Sequence, residues 1–397
     1  DSGDAEQADA MYAKAAATGG DTLAETIAVE RAGVLLAAGQ DAQAADVLLP
    51  FESAAARGWR VIALARAGRH AEAIDAADEL NPEQLGGELA GQYALHLAES
   101  ARQSGDVARS RELLLPLLDS EELAVDASLR LAELAIEDGD HEEAADVLDG
   151  ALARLPTDRP ELCAIVRYQL AWCRRQLGDA GGVIEALDDA PCELAPVAAP
   201  AALLLGEALD SVGRHADAAE RFAAALEHDL DADDREAALL RLGETASAAQ
   251  DWRASLEAFD THRDEYSESP RWFAAAFGAG WAKENLGRPE AAIEHYREVV
   301  RGHDGETAAR AQFQIGECLF ALGRHDEAVR ELLRVDTLYD QPRWSAAALF
   351  EAGRCFEALN KIGEARAQYR LVLENHRGSA WADAAAERLR AIAAPGG

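Results

Sequence analysis

The five cysteines have the most reactive side chains in this sequence, because a thiolate can serve as a nucleophile, a redox centre or a metal ligand. Cys173, Cys318 and Cys355 each occur five residues before a Gly or Asn that follows a helical segment, where other segments carry alanine. A free thiol replaces alanine well at a buried position. Cys163 and Cys192 occur elsewhere, and no Cys-x-x-Cys pair is present. The spacing therefore predicts structural thiols rather than a disulfide framework or a reactive site.

The histidines could bind a metal ion, but their spacing argues against it. His70, His141, His215 and His325 each follow a glycine by two residues, at one position of a periodic pattern. One histidine per period spreads these side chains along the chain, so they cannot share an ion. The other histidines form no pair with the spacing that zinc sites use. We predict no metal site and no cofactor.

Motifs for catalysis are missing from the sequence. It contains no glycine-rich phosphate loop, no nucleophile elbow and no zinc-protease helix motif. Acidic pairs such as Asp188–Asp189 and Asp233–Asp234 fall in loops and helix starts, where carboxylates favour solubility and complement the helix dipole. We therefore predict that the chain is not an enzyme, and we identify no motif for a small-molecule substrate.

The formal net charge of −35 restricts the partners that this chain can bind. Nucleic-acid binding needs a basic surface, and an anionic membrane repels an acidic protein in the same way. No stretch approaches the about 18 unbroken apolar residues of a membrane helix. We expect a protein or peptide partner, and neither nucleic acid nor membrane insertion.

The sequence is compatible with more than one cellular compartment. An acidic chain with only three lysines, Lys14, Lys283 and Lys361, is typical of salt-adapted bacteria, although solubility alone also accounts for it. The chain begins at Asp1, and its first residues resemble the second helix of a helical pair. We therefore expect a truncated or processed start, with targeting information removed. A bacterial cell-envelope location on the periplasmic side and a cytoplasmic one are both compatible with the sequence.

A string of the form G-x4-A recurs along the whole chain at intervals of 29 to 39 residues. We call the first residue of each copy a turn anchor. The anchors are Gly3, Gly39, Gly68, Gly105, Gly139, Gly178, Gly213, Gln250, Gly287, Gly323 and Asn360. This period predicts two helices and two short loops per unit. Glycine suits the turn because it adopts positive φ after a helix ends, and asparagine is the usual second choice. Gln250 is predicted to make a less comfortable turn.

Small and large residues alternate at fixed distances from the anchors. Five residues after the anchor the side chain is small, at Ala8, Ala44, Ala73, Ser110, Ala144, Ala218, Ser255, Ala292, Ala328 and Ala365, with Val183 as the exception. Glycine recurs seven residues before the anchor at Gly206, Gly243, Gly280, Gly316 and Gly353. Large side chains occur nine residues after it, at Tyr12, Leu48, Leu114, Leu148, Leu187, Phe222, Phe259, Tyr296, Leu332 and Tyr369. This alternation predicts helices that pack closely, with large side chains opposite small ones.

The pattern resembles the tetratricopeptide repeat family, which has glycine in the first helix, glycine at the turn, and small and aromatic residues in the second helix. The resemblance is strong from Pro200 to Ile392 and looser before that, where Ala98, Ala132 and Ala171 replace the first-helix glycine. It implies an all-α fold, a right-handed α-solenoid of about ten helix-turn-helix repeats, and a non-enzymatic scaffold for protein–protein interaction. The last stretch, from Tyr339 to Ile392, resembles bacterial cell-envelope members, namely the Tol-Pal-associated coordinator and the outer-membrane assembly lipoprotein.

The breaks in the pattern predict the domain organisation. We expect an N-terminal block over residues 1–190 with a truncated first helix pair, a Pro-rich break over 191–200, a regular block over 201–378 and a capping helix over 379–393. Pro191, Pro196 and Pro200 lie too close together for a helix interior. The break is either a kink between the blocks or a long loop. The shortest interval predicts a curtailed first helix around Ala54 to Ala67, and Ser379 is a candidate cap of the final helix.

The family resemblance also implies a binding surface, because the first helices line a concave groove that receives an extended or helical peptide. In the present chain we assign this surface to three positions of each first helix, which lie ten, six and three residues before the anchor. The resulting candidates are Tyr168, Trp172, Arg175, Glu207, Glu244, Phe277, Trp281, Glu284, Phe313, Glu317, Phe320, Phe350, Arg354 and Glu357. Glutamates and aromatic residues in one groove favour a basic, partly apolar partner, bound mainly along residues 270–357. Alternatively, aromatic residues such as Phe277 and Phe313 are packed core and the glutamates are a solvated face.

Two other roles are compatible with the sequence. The chain could be a regulatory or substrate-docking segment of a larger enzyme or envelope complex, as the truncated start suggests. It could also be a structural envelope component that assembles end to end, although a capping helix at the C-terminus argues against this.

Overall fold

A computed structural model of the chain describes residues 10–12, 21–155, 159–188 and 197–392. From Asp21 onward, the described residues form twenty-one α-helices and two short 3-10 helices, and they contain no β-strand. The helices are α1 (Asp21–Ala37), α2 (Asp41–Leu48), α3 (Ala54–Arg66), α4 (His70–Asp78), α5 (Gly87–Gln103), α6 (Val107–Leu114), α7 (Ala124–Glu137), α8 (His141–Leu152), α9 (Pro160–Gln176), α10 (Ala180–Leu187), α11 (Ala198–Ser211), α12 (His215–Leu226), α13 (Ala232–Ala248), α14 (Trp252–Glu265), α15 (Trp272–Asn285), α16 (Pro289–Gly302), α17 (Glu306–Ala321), α18 (His325–Leu338), α19 (Pro342–Ala358), α20 (Ile362–Asn375) and α21 (Ala380–Ala391). The 3-10 helices are Pro82–Gln84 and Leu115–Asp119.

The chain divides into two compact units, Asp1–Val197 and Ala198–Gly397. Within each unit the helices pack as consecutive pairs, with each helix against the next one along the chain. In the second unit the first helices α13, α15, α17 and α19 also pack against one another in sequence. The fold is therefore the helical-repeat solenoid that the periodic sequence predicts.

The turn inside each pair has the backbone conformation expected at the anchors. Every anchor from Gly39 onward has positive φ, including Gln250 at 63° and Asn360 at 59°. At Gln250 the usual helix-ending hydrogen bonds still form, since Gln250 N–H donates to Ser247 O at 3.0 Å and Asp251 N–H donates to Ala246 O at 2.8 Å. The prediction of left-handed turns is confirmed, and Gln250 adopts this conformation despite its side chain.

The alternation of small and large side chains is confirmed by the packing within each pair of the second unit. A β-carbon added at Gly353 would lie 2.5 Å from a ring carbon of Tyr369, and one added at Gly280 would lie 2.8 Å from a ring carbon of Tyr296. Both tyrosines are completely buried. The glycine seven residues before the anchor thus makes room for the large side chain nine residues after it, which lets the two helices approach closely.

Several boundary predictions can be compared with the structure. The curtailed first helix is confirmed as α3 (Ala54–Arg66). Ser379 has extended backbone at the start of α21, but its side chain makes no capping hydrogen bond, and its buried hydroxyl has no partner in the described residues. Pro200 lies in the first turn of α11, where proline is tolerated. The predictions for the opening copy at Gly3 and for Pro191, Cys192 and Pro196 concern residues outside the described ranges. Whether the break is a kink or a long loop therefore stays a prediction.

Within the ranges that the structure describes, no helix has both the length and the apolar run needed to cross a lipid bilayer.

Candidate functional site

A groove of about 550 Å³ lies in the second unit, along its first helices. Its lining is Glu244, Ser247, Phe259, Ala274, Phe277, Gly278, Trp281, Glu306, Thr307, Arg310, Arg343 and Trp344. All of these except Phe259 belong to first helices, namely α13, α15, α17 and α19. Residues three or four apart share one face of a helix, so successive first helices present a continuous lining. We call this cavity the first-helix groove.

Arg310 lies among aromatic rings in this groove. Its guanidinium carbon is 4.4 Å from the ring centroid of Phe277, 5.6 Å from that of Trp281 and 5.9 Å from that of Trp344. Burial lowers the pKa of Arg310, since removal from water disfavours the charged form. Among the described residues it forms no ion pair within 4 Å, although the carboxylates of Glu306 and Glu284 act on its charge at longer range, and its guanidinium lies against the faces of the rings.

Three candidate aromatic residues are packed between helices. Phe277, Phe313 and Phe350 each expose 8% of their surface. The Phe313 ring lies 5.6 Å from that of Trp344, and the Phe350 ring lies 5.5 Å from that of Tyr369, between ring centroids. These three side chains are packed core, the second of the two arrangements left open by the sequence.

Trp281 and Phe320 are more accessible. Both are half-buried, on α15 and α17 respectively. The guanidinium carbon of Arg354 lies 5.0 Å from the centroid of the Phe320 ring, and the ring of His325 lies 5.0 Å away on another side. Of the candidate aromatic side chains in the second unit, these two combine a fixed position with an accessible surface, as binding anchors require.

Two of the candidate glutamates are held by neighbouring side chains. Glu284 accepts hydrogen bonds from the Tyr296 hydroxyl at 2.8 Å and from Gln314 Nε2 at 3.2 Å. Glu357 accepts a hydrogen bond of 2.5 Å from the Tyr369 hydroxyl and another of 3.0 Å from Arg388 Nε. These carboxylates are therefore fixed in place and partly satisfied by the protein itself.

Glu317 is in a different situation. It lies on α17 one turn before Phe320, and its Oε1 atom is buried without a hydrogen-bond partner in the described part of the chain. Burial, together with the nearby carboxylates of Glu351 and Glu284, raises the pKa of Glu317 to about 7. Glu351 is itself paired with Arg354 at 2.7 Å, so that guanidinium is already engaged. Glu317 is thus the candidate carboxylate with an unused acceptor atom.

Of the fourteen candidates, Glu244, Phe277 and Trp281 line the first-helix groove, whereas Glu317 and Phe320 lie further along α17 and are not among its lining residues. Glu207 on α11 and Arg354 on α19 do not line the groove either. Glu244 does line it, and its carboxylate pairs with Arg241 at 3.2 Å. Tyr168, Trp172 and Arg175 lie on α9 in the first unit, where the Trp172 ring meets that of His141 edge-on at 5.3 Å. The candidate list therefore separates into a set on α9 and a set on the first helices of the second unit.

Sequence reasoning missed Arg310, Arg343 and Trp344, which all line the groove. The three positions used for the candidates stop ten residues before the anchor. Arg310 lies thirteen residues before Gly323, and Trp344 lies sixteen residues before Asn360. Extending the same face by one or two helical turns towards the N-terminus would have found them.

The thiols and histidines have structural surroundings. The described cysteines, Cys163, Cys173, Cys318 and Cys355, are all free, and burial raises the pKa of Cys173 to about 11 and that of Cys355 to about 12. Of the recurring histidines, His215 Nδ1 lies 2.8 Å from Asp210 Oδ1. No group of three or more His, Cys, Asp or Glu side chains within the described ranges is arranged to hold a metal ion.

Comparisons with known proteins agree with the repeat pattern. A tetratricopeptide repeat model matches residues 95–159, 238–307 and 277–342, and a second tetratricopeptide repeat model matches residues 347–379. Together the two models cover about half of the chain. No curated protein sequence matches it.

Solved structures with similar folds cover different shares of the chain. A crystal structure of MamA is 22% identical, with 42% of this chain and 92% of that chain covered and a TM-score of 0.36. The structure of YrrB, described as a TPR protein with an unusual peptide-binding site, is 20% identical, with 49% and 92% covered and a TM-score of 0.37. The APC/C hetero-tetramer Cut9–Hcn1 is 13% identical, with 92% and 89% covered and a TM-score of 0.40.

Proposed function

Because this chain belongs to the tetratricopeptide repeat family, we propose that it is a non-enzymatic scaffold that binds a peptide segment of a partner protein in the first-helix groove and along the adjoining part of α17. The observation that carries this proposal is the set of incompletely satisfied side chains along α17. Within the part of the chain that the structure describes, Arg310 forms no ion pair and Glu317 Oε1 has no hydrogen-bond partner, and Phe320 is half-buried. Such side chains on a rigid helix are ready to contact a ligand without first rearranging.

The spacing of side chains along α17 supports a short segment. α17 supplies the centre of the site, and its neighbours α15 and α19 supply Trp281 and Trp344 on either side. Arg310 and Phe320 are ten residues apart on α17. At 1.5 Å per helical residue, they are separated by about 15 Å along the axis, the length of four or five extended residues. A partner segment of this length would extend from Arg310 in the groove to Phe320 on the same helix.

The chemistry of Glu317 supports a basic residue in that segment. An ammonium or guanidinium group near Glu317 would supply the missing hydrogen-bond donor and would relieve the repulsion from Glu351 and Glu284. The net charge of −35 would also accelerate the encounter with a basic partner. Trp281 and Phe320 supply apolar surface for the neighbouring residues of the segment.

A bacterial cell-envelope setting is the finer part of the proposal. It rests on the likeness of the last repeats, up to Ile392, to envelope members of the family. Fractionation of the source cells tests it independently of binding, since recovery of the chain with the cytoplasmic fraction alone would contradict it.

Capture from a lysate of the source organism tests the binding proposal. The double variant Trp281→Ala/Phe320→Ala removes the two accessible aromatic anchors. A matched control, Trp252→Ala/Leu338→Ala, removes one indole and one exposed apolar side chain from the second helices α14 and α18. Circular dichroism first establishes that both variants are folded.

We expect the wild type and the control to retain the same partner and the groove variant to lose it. Equal capture by the folded groove variant would place the working surface elsewhere on the chain. Loss of the partner by the control alone would place it on the second helices.

A further inference from the structure

Glu317 on α17 and Glu351 on α19 are neighbouring carboxylates that have one arginine near them. Glu351 exposes 4% of its surface and lies 2.7 Å from the guanidinium of Arg354. That guanidinium also lies against the ring of Phe320, 5.0 Å from its centroid. In the part of the chain that the structure describes, no cation comes within 4 Å of Glu317, and its buried Oε1 atom has no hydrogen-bond partner. The protein thus compensates one of the two carboxylates and not the other.

A third carboxylate acts on Glu317 from α15. It belongs to Glu284, which accepts two hydrogen bonds, one of them from the hydroxyl of Tyr296 on α16. On α18, the titratable ring of His325 lies 5.0 Å from the ring of Phe320. The first helices on both sides of α17 therefore place negative charge near Glu317.

These surroundings favour the protonated form of Glu317. A carboxyl group that is removed from water and lies among other carboxylates gives up its proton less readily than an exposed one. Burial raises the pKa of Glu317 to about 7, with a smaller contribution from the charge of Glu351. The guanidinium of Arg354 opposes this shift and does not cancel it. The free chain therefore carries a proton on this carboxyl group in mildly acidic solution and only partly at neutral pH.

We propose that a lysine or arginine of the partner's segment binds at Glu317 in exchange for the proton that this carboxyl group carries in the free chain. The partner is then held in neutral or alkaline solution and released in mildly acidic solution. This exchange rests on the proposed function and adds the regulation of the same site by pH.

The exchange balances in charge and in protons. The O–H bond of the Glu317 carboxyl group breaks, its proton passes to water, and both electrons of the bond stay on the carboxylate. The ammonium or guanidinium group of the partner keeps its own protons, because these groups ionise only far above neutral pH. It donates a hydrogen bond to Oε1, which has no partner among the described residues of the free chain. One cation thus replaces one proton at the same carboxylate.

The exchange gives binding a definite dependence on pH. Below about pH 7 the free chain must give up the proton of Glu317 before it accepts the cation, so the affinity falls as the pH falls. Above about pH 7 the carboxylate is already ionised, and the affinity no longer changes with pH. A pKa of about 7 predicts an affinity about tenfold higher at pH 8 than at pH 5.5.

Peptides selected at pH 8 test the proposal against the full chain. A library of random 12-residue linear peptides displayed on phage supplies binders, and those with lysine or arginine but no histidine, aspartate or glutamate are synthesised with blocked termini. Calorimetric titration should give about tenfold weaker binding at pH 5.5 than at pH 8. Near pH 6, titration in two buffers of different ionisation enthalpy should show the release of about one proton per peptide bound. Replacement of the peptide's basic residue by norleucine or citrulline should abolish both effects.

Glu317→Gln separates this carboxyl group from the other titratable groups of the chain. At pH 8 it should bind the peptide about as weakly as the wild type does at pH 5.5, with no change across this pH range and no release of a proton. The control Glu364→Gln removes a negative charge from an exposed position on α20 and should behave as the wild type does.

Peptides that are lost by Trp281→Ala/Phe320→Ala but bind equally at pH 5.5 and pH 8 would overturn the proton exchange and leave the proposed function standing. Binders without any lysine or arginine would do the same, as would a pH dependence that persists in folded Glu317→Gln. A selection whose binders are all insensitive to Trp281→Ala/Phe320→Ala would contradict both proposals.

Discussion

The hydroxyl group of Tyr296 donates a hydrogen bond of 2.8 Å to the carboxylate of Glu284. The same contact recurs two pairs later, from Tyr369 to Glu357. In each case the tyrosine lies nine residues after the anchor and the glutamate three residues before it. In the pair between them, the large residue is Leu332, which has no hydroxyl, and the residue three before the anchor is Phe320. A buried tyrosine nine residues after the anchor thus occurs together with a glutamate that accepts its hydrogen bond. Where the buried residue is Leu332, the position of that glutamate is occupied by Phe320.

Removal of this hydroxyl should destabilise the second unit. In Tyr296→Phe the Glu284 carboxylate loses the hydrogen bond from this hydroxyl and keeps the one from Gln314, so we expect a loss of about 1–2 kcal/mol in the free energy of unfolding. Urea denaturation followed by circular dichroism measures it. The control is Tyr266→Phe, at a half-buried tyrosine on the C-terminal side of α14, whose stability should change by less than about 0.5 kcal/mol. Equal effects of the two substitutions would refute the role of the hydrogen bond.

The close approach at Gly353 predicts a second effect on stability. Gly353→Ala places a methyl group against the buried ring of Tyr369, and we expect a destabilisation of about 1–3 kcal/mol from overpacking. Gly363→Ala is the matched control, because a β-carbon there meets no atom within 4 Å and α20 gains a better helix former. This control should be neutral or up to about 1 kcal/mol more stable than the wild type. A neutral Gly353→Ala would mean that the pair does not need its small residue.

The two anchors that are not glycine predict a stabilising change. Gln250→Gly should raise the free energy of unfolding by about 1 kcal/mol, because a glutamine in the left-handed region is strained and glycine is not. Asn360→Gly should gain less, since asparagine tolerates this conformation. Thermal denaturation of both variants beside the wild type measures the difference. A larger gain at Asn360 than at Gln250 would contradict the explanation.

The raised pKa of Glu317 predicts a pH-dependent stability. Its pKa is about 7 in the folded chain against an ordinary value of 4.5, so the folded state binds this proton more tightly than the unfolded state does. The stabilising contribution is complete below about pH 4.5, decreases as the pH rises and is lost above about pH 7. The glutamine of Glu317→Gln remains neutral at every pH. Its free energy of unfolding, relative to that of the wild type, should therefore rise by about 2 kcal/mol as the pH increases from 5 to 8, after allowance for solvent screening.

The control for that experiment is Glu364→Gln, which removes one negative charge from an exposed position on α20. Unfolding midpoints at several pH values between 4 and 8 give the comparison. A difference between Glu317→Gln and the wild type that is constant across this range would show that Glu317 is not held in its protonated form. The charged groups facing Glu317 in this titration are Glu284 on α15 and Glu351 and Arg354 on α19.

Much of the fold could be predicted because its determinants are local. A glycine or asparagine at every anchor except Gln250 favours the turn, and a glycine such as Gly280 opposite a large side chain such as Tyr296 fixes the packing of one pair. These residues lie within about twenty positions of one another, so their spacing is visible in a single sequence. The curtailed helix Ala54–Arg66 follows from the same spacing.

The site was less predictable because exposure and pairing depend on neighbouring repeats. Phe313 is buried by Trp344 of the next pair, thirty-one residues away, and no periodic rule gives the size of that residue. Some ion pairs join residues equally distant in sequence, as between Arg102 and Glu137, which are 2.5 Å apart across adjacent repeats. Whether Arg310 forms an ion pair depends in the same way on residues of neighbouring repeats, so it can be read only from the structure.

Site-specific photo-cross-linking tests the central claim, that the first-helix groove binds the partner, most directly. p-Benzoylphenylalanine is introduced in place of Phe320 on α17, and in a second chain in place of the exposed Leu338 on α18. The account predicts that a partner protein cross-links at position 320 and not at 338, and that adding Trp281→Ala abolishes the cross-link. Cross-linking at 338 but not at 320, or a cross-link at 320 that is unaffected by Trp281→Ala, would contradict it.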